Sequence, residues 1–539
     1  AESLANKYNL GNKINLIMQE SFYYLTNFID YKTALDEMQK SILKTYRKLS
    51  KEALENNFNA INEVSSNIKL IDLSKLITEN KSQLNAFDNN DEIFKIFNRD
   101  GDSLPVSYFN ANGSTKTNTS NLEKRDIATI LPDWIPEKCI QCGQCSFVCP
   151  HAVIRPILVD KKDVNNKDIK MADSKLDVNS KYILSISPKD CTGCKNCANI
   201  CPVKAIAMKS KSEIFNKLQN DYEITQSLNK KPTSLNDNTV MGVQYKLPYF
   251  EYCGACAGCG ETPYIRLLTQ LFGSRLVIAN ATGCSSIYSG SYPSCPFSVD
   301  NDGLGPTWAN SLFEDNAEFG YGMKIAINSK RNKLNTLVNE IIKENVNEDI
   351  TNELINWQNY SNDNKKSLES YKKLKALLSN QLDDKMIKLK NSLDDLINKT
   401  VWIIGGDGWA YDIGFNGLDT VVASNENVNI LVLDTEVYSN TGGQASKSTP
   451  FGASAKFSIE GKSTNKKNLA SMLMSYKNVY VAQIAMGADK LQTIKAFKEA
   501  ENFNGPSVII AYSPCINHGI KSGDAMNQMK LAVESGYYH

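Results

Sequence analysis

The sequence predicts an α/β multidomain protein: a small α+β module built around two cysteine runs, followed by a larger α/β domain with a parallel sheet. Three observations carry this. At 539 residues the chain is too long for one compact core. Cys139, Cys142, Cys145 and Cys149 form a C-x-x-C-x-x-C-x-x-x-C run closed by Pro150, and Cys191, Cys194, Cys197 and Cys201 repeat it before Pro202. Short apolar runs at 276–279, 401–404, 430–433, 479–484 and 508–512, each bounded by turn residues, have the pattern of strands buried on both faces.

Residues 1–100 are expected to be helix-rich, because Ile14, Leu16, Ile17, Phe22, Leu25, Phe28, Leu35, Met38, Ile42, Leu43 and Tyr46 recur at amphipathic spacing among polar neighbours. Residues 101–129 turn rich in Asn, Ser, Thr and Gly and suggest a linker or strap. The module of residues 130–210 holds both cysteine runs, with a polar insertion at 161–180. The run is the ligand pattern of two-cluster ferredoxins, in which the fourth cysteine serves the other run's [4Fe-4S] cluster. Crossed in this way, Cys139, Cys142 and Cys145 with Cys201 hold one cluster, and Cys191, Cys194 and Cys197 with Cys149 the second. Paired C-x-x-C also suits zinc, but two identical runs each ending in proline favour clusters. A polar linker over 211–240 leads to the last domain, 241–539, whose stretch 324–398 is a lysine-rich helical excursion with one apolar face.

Ligands of open parallel sheets gather at the carboxyl ends of the strands. Those ends carry Asn280 to Cys284, Gly405 to Gly408, Asp434 to Gly443, and Ser513 to Cys515. Gly406, Asp407 and Gly408, with a second polar loop on the next strand, have the layout of a metal-diphosphate site. Glycines admit phosphate to backbone N–H groups, Asp407 offers a hard oxygen, and Thr435 Oγ and the Val437 carbonyl complete the protein's share of an octahedron. Gly-Asp-Gly by itself is also an ordinary strand-to-helix turn. Cys256 and Cys259, joined by Cys284 and Cys515, would make a third [4Fe-4S] cage at that rim, and Cys253 and Cys295 compete for the same roles; strand-end placement favours the first pair. Otherwise Cys253 and Cys295 are buried free thiols, His151 a packing histidine, and Met323, Met472 and Met474 core filler.

Formal charge is +1, from 60 Lys and Arg against 59 Asp and Glu, which gives no field for nucleic acid or an anionic membrane. No apolar stretch is long enough to span a bilayer, and the start, Ala1-Glu2-Ser3-Leu4, has no signal-peptide pattern. The expectation is a cytoplasmic protein, or one of an organelle in an anaerobic cell, with no nucleic-acid or membrane partner. Its 14 cysteines, grouped at metal-ligand spacings, point to a reducing compartment.

Across 101–107, both cysteine runs, 254–264, 280–287, 406–412, 434–443 and 514–515, the chain resembles the pyruvate:ferredoxin oxidoreductase family. These are 2-oxoacid oxidoreductases with thiamine diphosphate, coenzyme A and three [4Fe-4S] clusters. The resemblance implies that the last domain is a thiamine diphosphate-binding α/β domain, and that Cys256, Cys259, Cys284 and Cys515 hold the cluster proximal to that cofactor. It further implies thiamine diphosphate contacts from Glu261, Cys284, Gly406, Asp407, Gly408, Trp409, Thr435, Glu436, Val437, Tyr438, Ser439 and Asn440. Mg2+ would be held by Asp407, Thr435 and the Val437 carbonyl. Asn440 matches an active-site asparagine beside the reacting carbon, and Asn57 a coenzyme A contact. At Glu436 the backbone is expected to matter more than the carboxylate. Pyruvate and coenzyme A as substrates, ferredoxin or flavodoxin as acceptor, and a homodimer follow as family expectations.

The chain departs from the family pattern at both ends. The family's N-terminal domain supplies the glutamate that activates the aminopyrimidine and the arginine that binds the substrate carboxylate, and no segment here resembles it. The sequence is therefore expected to be a C-terminal portion, a fragment or processed product. Two alternatives stand beside the main expectation. One is a pyruvate:NADP oxidoreductase with a flavin reductase fused beyond this region. The other is a non-catalytic electron-transfer module with a decayed thiamine site, against which the intact Asp407, Thr435 and Asn440 speak.

Overall fold

The structure is a computed structural model that describes residues 1–10, 13–47, 49–70, 92–164, 167–344, 347–378 and 383–539. It divides into two compact units, Ala1–Asn89 and Asn90–His539. The first contains helices Glu2–Lys7, Asn15–Thr26, Tyr31–Thr45 and Lys51–Asn62. Asp30 and Ser50 cap the third and fourth by accepting from the Thr33 and Ala53 amides. The helices pack through small cores, one of Leu4, Ile17, Ala60 and Val64 and one of Met38, Ile42 and Ile61.

In the second unit the cysteine module repeats one pattern twice. β1 (Ile130–Trp134) enters the first run, the short helix Gln144–Phe147 follows, and β2 (Ile154–Asp160) leaves it; β3 (Ala172–Asp173) is a short edge strand. β4 (Ser180–Ile186), the second run, the helix Asn196–Ile200 and β5 (Ile206–Ser210) repeat the order. β1 pairs antiparallel with β5, and β2 with β4, so the two halves embrace and each run's last cysteine reaches across to the other. Where sequence suggested a linker over 211–240, Lys211–Ser227 forms a helix that lies on β4, β1 and β5. Its polar composition hid the apolar face of Ile214, Phe215 and Leu218, which packs on the module core.

The large domain is a six-stranded parallel sheet in the order β10-β11-β9-β8-β6-β7. Its strands are β6 (Leu276–Ala281), β7 (Thr307–Ser311), β8 (Thr400–Gly406), β9 (Asn429–Asp434), β10 (Tyr480–Ile484) and β11 (Ser507–Tyr512). Successive side chains leave a strand on opposite faces. Accordingly Ile278, Trp402, Ile404, Leu431, Leu433 and Ile509 enter one core with Leu267, Leu268 and Phe497. Ala279, Ile403, Ile430, Val432, Val508 and Ile510 enter the other with Leu418, Val421 and Leu473. Each fully buried apolar side chain contributes roughly 1.5–3 kcal/mol. β7, which carries Thr, Asn and Ser, is the half-exposed edge. Between β7 and β8 the helices Asn316–Glu344, Glu348–Tyr360, Asn364–Leu377 and Asp384–Asn391 make the expected excursion, around a core of their own with Leu334, Val338, Leu354 and Trp357.

The sheet places the site. From β6 the chain moves outward to β7, whereas from β8 it moves the other way to β9, so the adjacent strands β6 and β8 bracket a topological switch point. A crevice opens there beyond their carboxyl ends. The module is joined to this domain through Arg266, fully buried on the helix Thr262–Phe272, whose guanidinium donates to the carbonyls of Ser146 and Phe147. Those are carbonyls of the last turn of the short cysteine-run helix. Among the described residues, no helix is long and apolar enough to cross a membrane.

Candidate functional site

Three groups of thiols stand out. Cys139, Cys142, Cys145 and Cys201 line one small cavity, the crossed set expected from the run. The second crossed set is also close in space: Cys149 lies in the electrostatic neighbourhood of Cys191, Cys194 and Cys197. Burial pushes the thiols of Cys191 and Cys194 up to about 12 and 11, so each keeps its proton until a metal displaces it. Among the described residues no three Cys, His, Asp or Glu side chains converge on one point as donors to a single ion would.

The third group lies at the crevice. Cys256, Cys259, Cys284 and Cys515 line a cavity of about 140 Å³ together with Glu261, Ile287, Tyr288, Ser439 and Asn440. Cys256 and Cys259 come from the loop before the helix Thr262–Phe272, Cys284 from the end of β6, and Cys515 from the end of β11. The competing thiols are elsewhere. Cys253 Sγ is 3.5 Å from the Pro150 carbonyl and 3.6 Å from His151 Nδ1, while the Cys295 amide bonds Thr119. His151 is buried, its pKa pushed down to about 4 by that burial, and its Nδ1 is 3.0 Å from the Cys253 carbonyl oxygen.

A second cavity, about 80 Å³, adjoins the third cysteine group and is lined by Thr282, Gly283, Gly406, Asp407, Gly408, Val437, Tyr438 and Thr441. Glu261, Cys284, Ser439 and Asn440 line both and form their common wall. Asp407 is buried, without a cationic partner among the described residues; burial and the neighbouring Asp434 push its carboxyl up to about 8. Thr435 Oγ1 lies 2.9 Å from Asp407 Oδ1 and 3.0 Å from the Val437 carbonyl oxygen. One hydroxyl proton cannot serve both. Three hard oxygens thus converge, a donor set that fits a divalent cation once the carboxyl gives up its proton. Ser446, which no motif marks, donates to Asp407 Oδ2 at 2.5 Å and fixes that carboxylate from behind. The Tyr438 ring packs directly on Gly408, where a side chain would collide with it, and the Tyr438 hydroxyl donates to Asp412 at 3.0 Å.

In the common wall, Cys284 Sγ is 3.1 Å from Ser439 Oγ and 4.0 Å from Asn440 Oδ1. Glu261 is buried; burial raises its carboxyl to about 7, and the Tyr288 hydroxyl donates to its Oε2 at 2.8 Å. Asn440 is exposed at the mouth.

Three sequence-selected residues stand apart. The Trp409 ring is fully buried against Gly405 and Gly414, so only its backbone lies near the cleft. Glu436 lines neither cavity. Its carboxylate pairs with Lys466 at 2.7 Å, while its carbonyl accepts from Thr449 at 2.6 Å and its φ of 63° turns the loop. Lys466 also holds Asp434, which accepts from Tyr411 and Ser448. Asn57 belongs to the first unit, where its side-chain amide donates to the Ala53 carbonyl.

The module also meets the crevice loops at the turn of Gly258. The Gly258 amide faces the Cys194 thiol, Gly258 packs against the Ser522 carbonyl, and Asn199 donates to the Gly523 carbonyl at 2.8 Å. The cavity of Cys139, Cys142, Cys145 and Cys201 lies beside the exposed Ile140.

Comparison with known proteins agrees with this geometry. Residues 387–511, which contain Asp407 and Thr435, match the family described as thiamine pyrophosphate enzyme, C-terminal TPP binding domain. Residues 138–205 match the 4Fe-4S dicluster domain. Residues 93–128 match a domain of unknown function. Over 100% of the chain, it is 44% identical to the pyruvate:ferredoxin oxidoreductase of Moorella thermoacetica and 43% identical to the pyruvate-flavodoxin oxidoreductase of Klebsiella pneumoniae, covering 48% and 47% of those proteins. It is 40% identical, again over 100% of the chain, to the mitochondrial pyruvate dehydrogenase [NADP(+)] of Euglena gracilis, of which it covers 31%. The chain spans about half the length of the first two relatives.

Proposed function

Because the chain belongs to the pyruvate:ferredoxin (flavodoxin) oxidoreductase family, we propose that it houses the cofactor cleft and electron path of an oxidative decarboxylation of pyruvate to acetyl-CoA and CO2. In that reaction pyruvate and coenzyme A yield acetyl-CoA, CO2, one proton and two electrons. The observation that carries the proposal is the wall of Glu261, Cys284, Ser439 and Asn440 shared by the cleft and the third cysteine cage. Electrons released in one cavity then have the shortest exit through the other.

Thiamine diphosphate bound in the cleft supplies the electron sink for decarboxylation, and the clusters carry electrons singly. The chain's own groups do the rest. Asp407, Thr435 Oγ1 and the Val437 carbonyl would hold Mg2+ against the diphosphate, with Gly406 and Gly408 admitting it to the backbone. Asn440, at the mouth, would orient the substrate, and Glu261, steadied by Tyr288, lines the inner end. Cys256, Cys259, Cys284 and Cys515 would hold a third [4Fe-4S] cluster. The cage of Cys191 would follow it, since Cys194 faces Gly258, and the cage of Cys139 would release electrons to ferredoxin or flavodoxin beside Ile140. Coenzyme A contact at Asn57, a homodimer and a cytoplasmic location complete the proposal.

The likeness to the Euglena protein favours one competing acceptor, NADP+. Incubating the anaerobically purified full-length protein, N-terminal domain included, with pyruvate and coenzyme A separates the two. Acetyl-CoA should accumulate only when ferredoxin or flavodoxin is supplied, with two carriers reduced per CO2 in one-electron steps. Direct NADPH formation without a carrier would support the second reading, and no acetyl-CoA under any condition would end both.

A further inference from the structure

We propose that Glu123, Lys124 and Arg125 form a positioning clamp that fixes the gap between the cysteine cage at the crevice and the cage of Cys191. The triad ends the segment that matches only a domain of unknown function. Lys124 and Arg125 are tied to loops that lead to the two cages, and Glu123 braces Arg125.

Lys124 Nζ donates at 2.7 Å to Asp190, the residue before Cys191, whose other donor is Ser187 Oγ at 2.5 Å. Asp190 is nearly excluded from solvent, with 3% of its side chain exposed, so this ion pair is screened far less than a surface pair. The same ammonium lies 4.5 Å above the Tyr252 ring, at the start of the loop that carries Cys256 and Cys259. Arg125 packs its guanidinium on Gly254 in that loop; a Cβ there would stand 2.6 Å from Nη2. Glu123 receives Arg125 at 3.1 Å and the Ser294 hydroxyl at 2.5 Å, which ties in the segment that follows the helix Cys284–Ser289. The next backbone amide, of Asp126, donates to the Lys189 carbonyl at 2.9 Å.

Three consecutive residues therefore hold together the loops of Cys191 and of Cys256 and Cys259, and tie both to the segment around Ser294. The two cations are matched by two carboxylates, Glu123 and Asp190, so the cluster of charges is close to neutral and its effect is positional. The step it serves moves one electron at a time from the crevice cage, which is oxidised, to the cage of Cys191, which is reduced. Tunnelling falls steeply with the gap, so a small widening slows transfer without touching a ligand.

The proposal rests on the three-cluster reading above, and the test separates the two. Lys124→Met and Arg125→Gln are compared with Lys124→Arg and Arg125→Lys in the anaerobically purified full-length protein, N-terminal domain included. Iron content and rapid-freeze EPR are followed after mixing with pyruvate and coenzyme A. The expected result is unchanged iron, unchanged appearance of the first reduced cluster, a weaker magnetic interaction between that cluster and its neighbour, and roughly tenfold slower reduction of the second, with Lys124→Arg closest to the parent. Transfer and coupling equal to the parent in Lys124→Met and Arg125→Gln would overturn the clamp, and so would loss of iron in these variants, which would make the triad an assembly element. A parent protein with only about eight irons would instead defeat the three-cluster reading.

Discussion

Asp407→Asn is expected to abolish thiamine diphosphate binding at ordinary cofactor concentrations and to lower pyruvate-dependent activity about a thousand-fold or more, a loss of about 4 kcal/mol. The cause is local. Asp407 is buried, accepts from Thr435 and Ser446, and has no cationic partner among the described residues. Asparagine keeps the volume but replaces one carboxylate oxygen by an N–H donor that repels Mg2+ and confronts the hydroxyls of Thr435 or Ser446. The cofactor-free protein should tolerate the change, because it removes a buried carboxyl that burial and Asp434 already disfavour as an anion. Calorimetry checks both halves. The parent should gain about 2.7 kcal/mol of stability at cofactor and Mg2+ near one hundred times Kd, the variant should gain none, and their cofactor-free melting temperatures should be similar. A variant that still melts higher with the cofactor would remove Asp407 from the metal site.

Cys515→Ser should cut iron from about twelve to about eight per chain and reduce carrier-linked turnover to background. Of the cavity's four thiols, Cys515 is the one furthest along the chain from the others and comes from its own strand end, β11. Burial pushes its thiol up to about 11, so in the metal-free protein it is a neutral group with little to do. Ser should therefore cost little stability while removing the soft ligand that iron needs. Cys253→Ser and Cys295→Ser are the matched controls, since neither thiol lines that cavity. Both should keep about twelve irons. Iron loss in Cys253→Ser but not in Cys515→Ser would reassign the cage.

Much of this site can be read in the sequence because its chemistry is local. Cysteines at fixed spacing need no tertiary information to suggest the crossed sets. Apolar runs long enough to be buried on both faces located β6, β8, β9, β10 and β11, and so the rim where Asp407, Thr435 and Cys284 had to meet. β7 escaped notice because an edge strand of Thr, Trp, Ala, Asn and Ser has no apolar run. The helix Lys211–Ser227 was hidden for the opposite reason, a polar surface around a narrow apolar face. Ser446 reaches Asp407 across 39 residues, through a loop whose course only the fold determines. Trp409 and Glu436 lie within recognisable motifs, yet their side chains face the core and Lys466, since a motif fixes the backbone path without fixing which side chains line the cleft. The Glu123–Arg125 triad carries no metal or nucleophile pattern, and its ties to residues 190, 254 and 294 emerge only when three distant loops are brought together.

The central claim is that the cleft of Asp407 drains through the thiols that share its wall. Rapid-freeze EPR of the full-length protein, N-terminal domain included, after anaerobic mixing with pyruvate, Mg2+ and thiamine diphosphate, with no external carrier, tests it most directly. The account expects reduced [4Fe-4S] signals to form in the parent as CO2 is released, and to be absent in Cys515→Ser. CO2 release with every cluster still oxidised in the parent would contradict it.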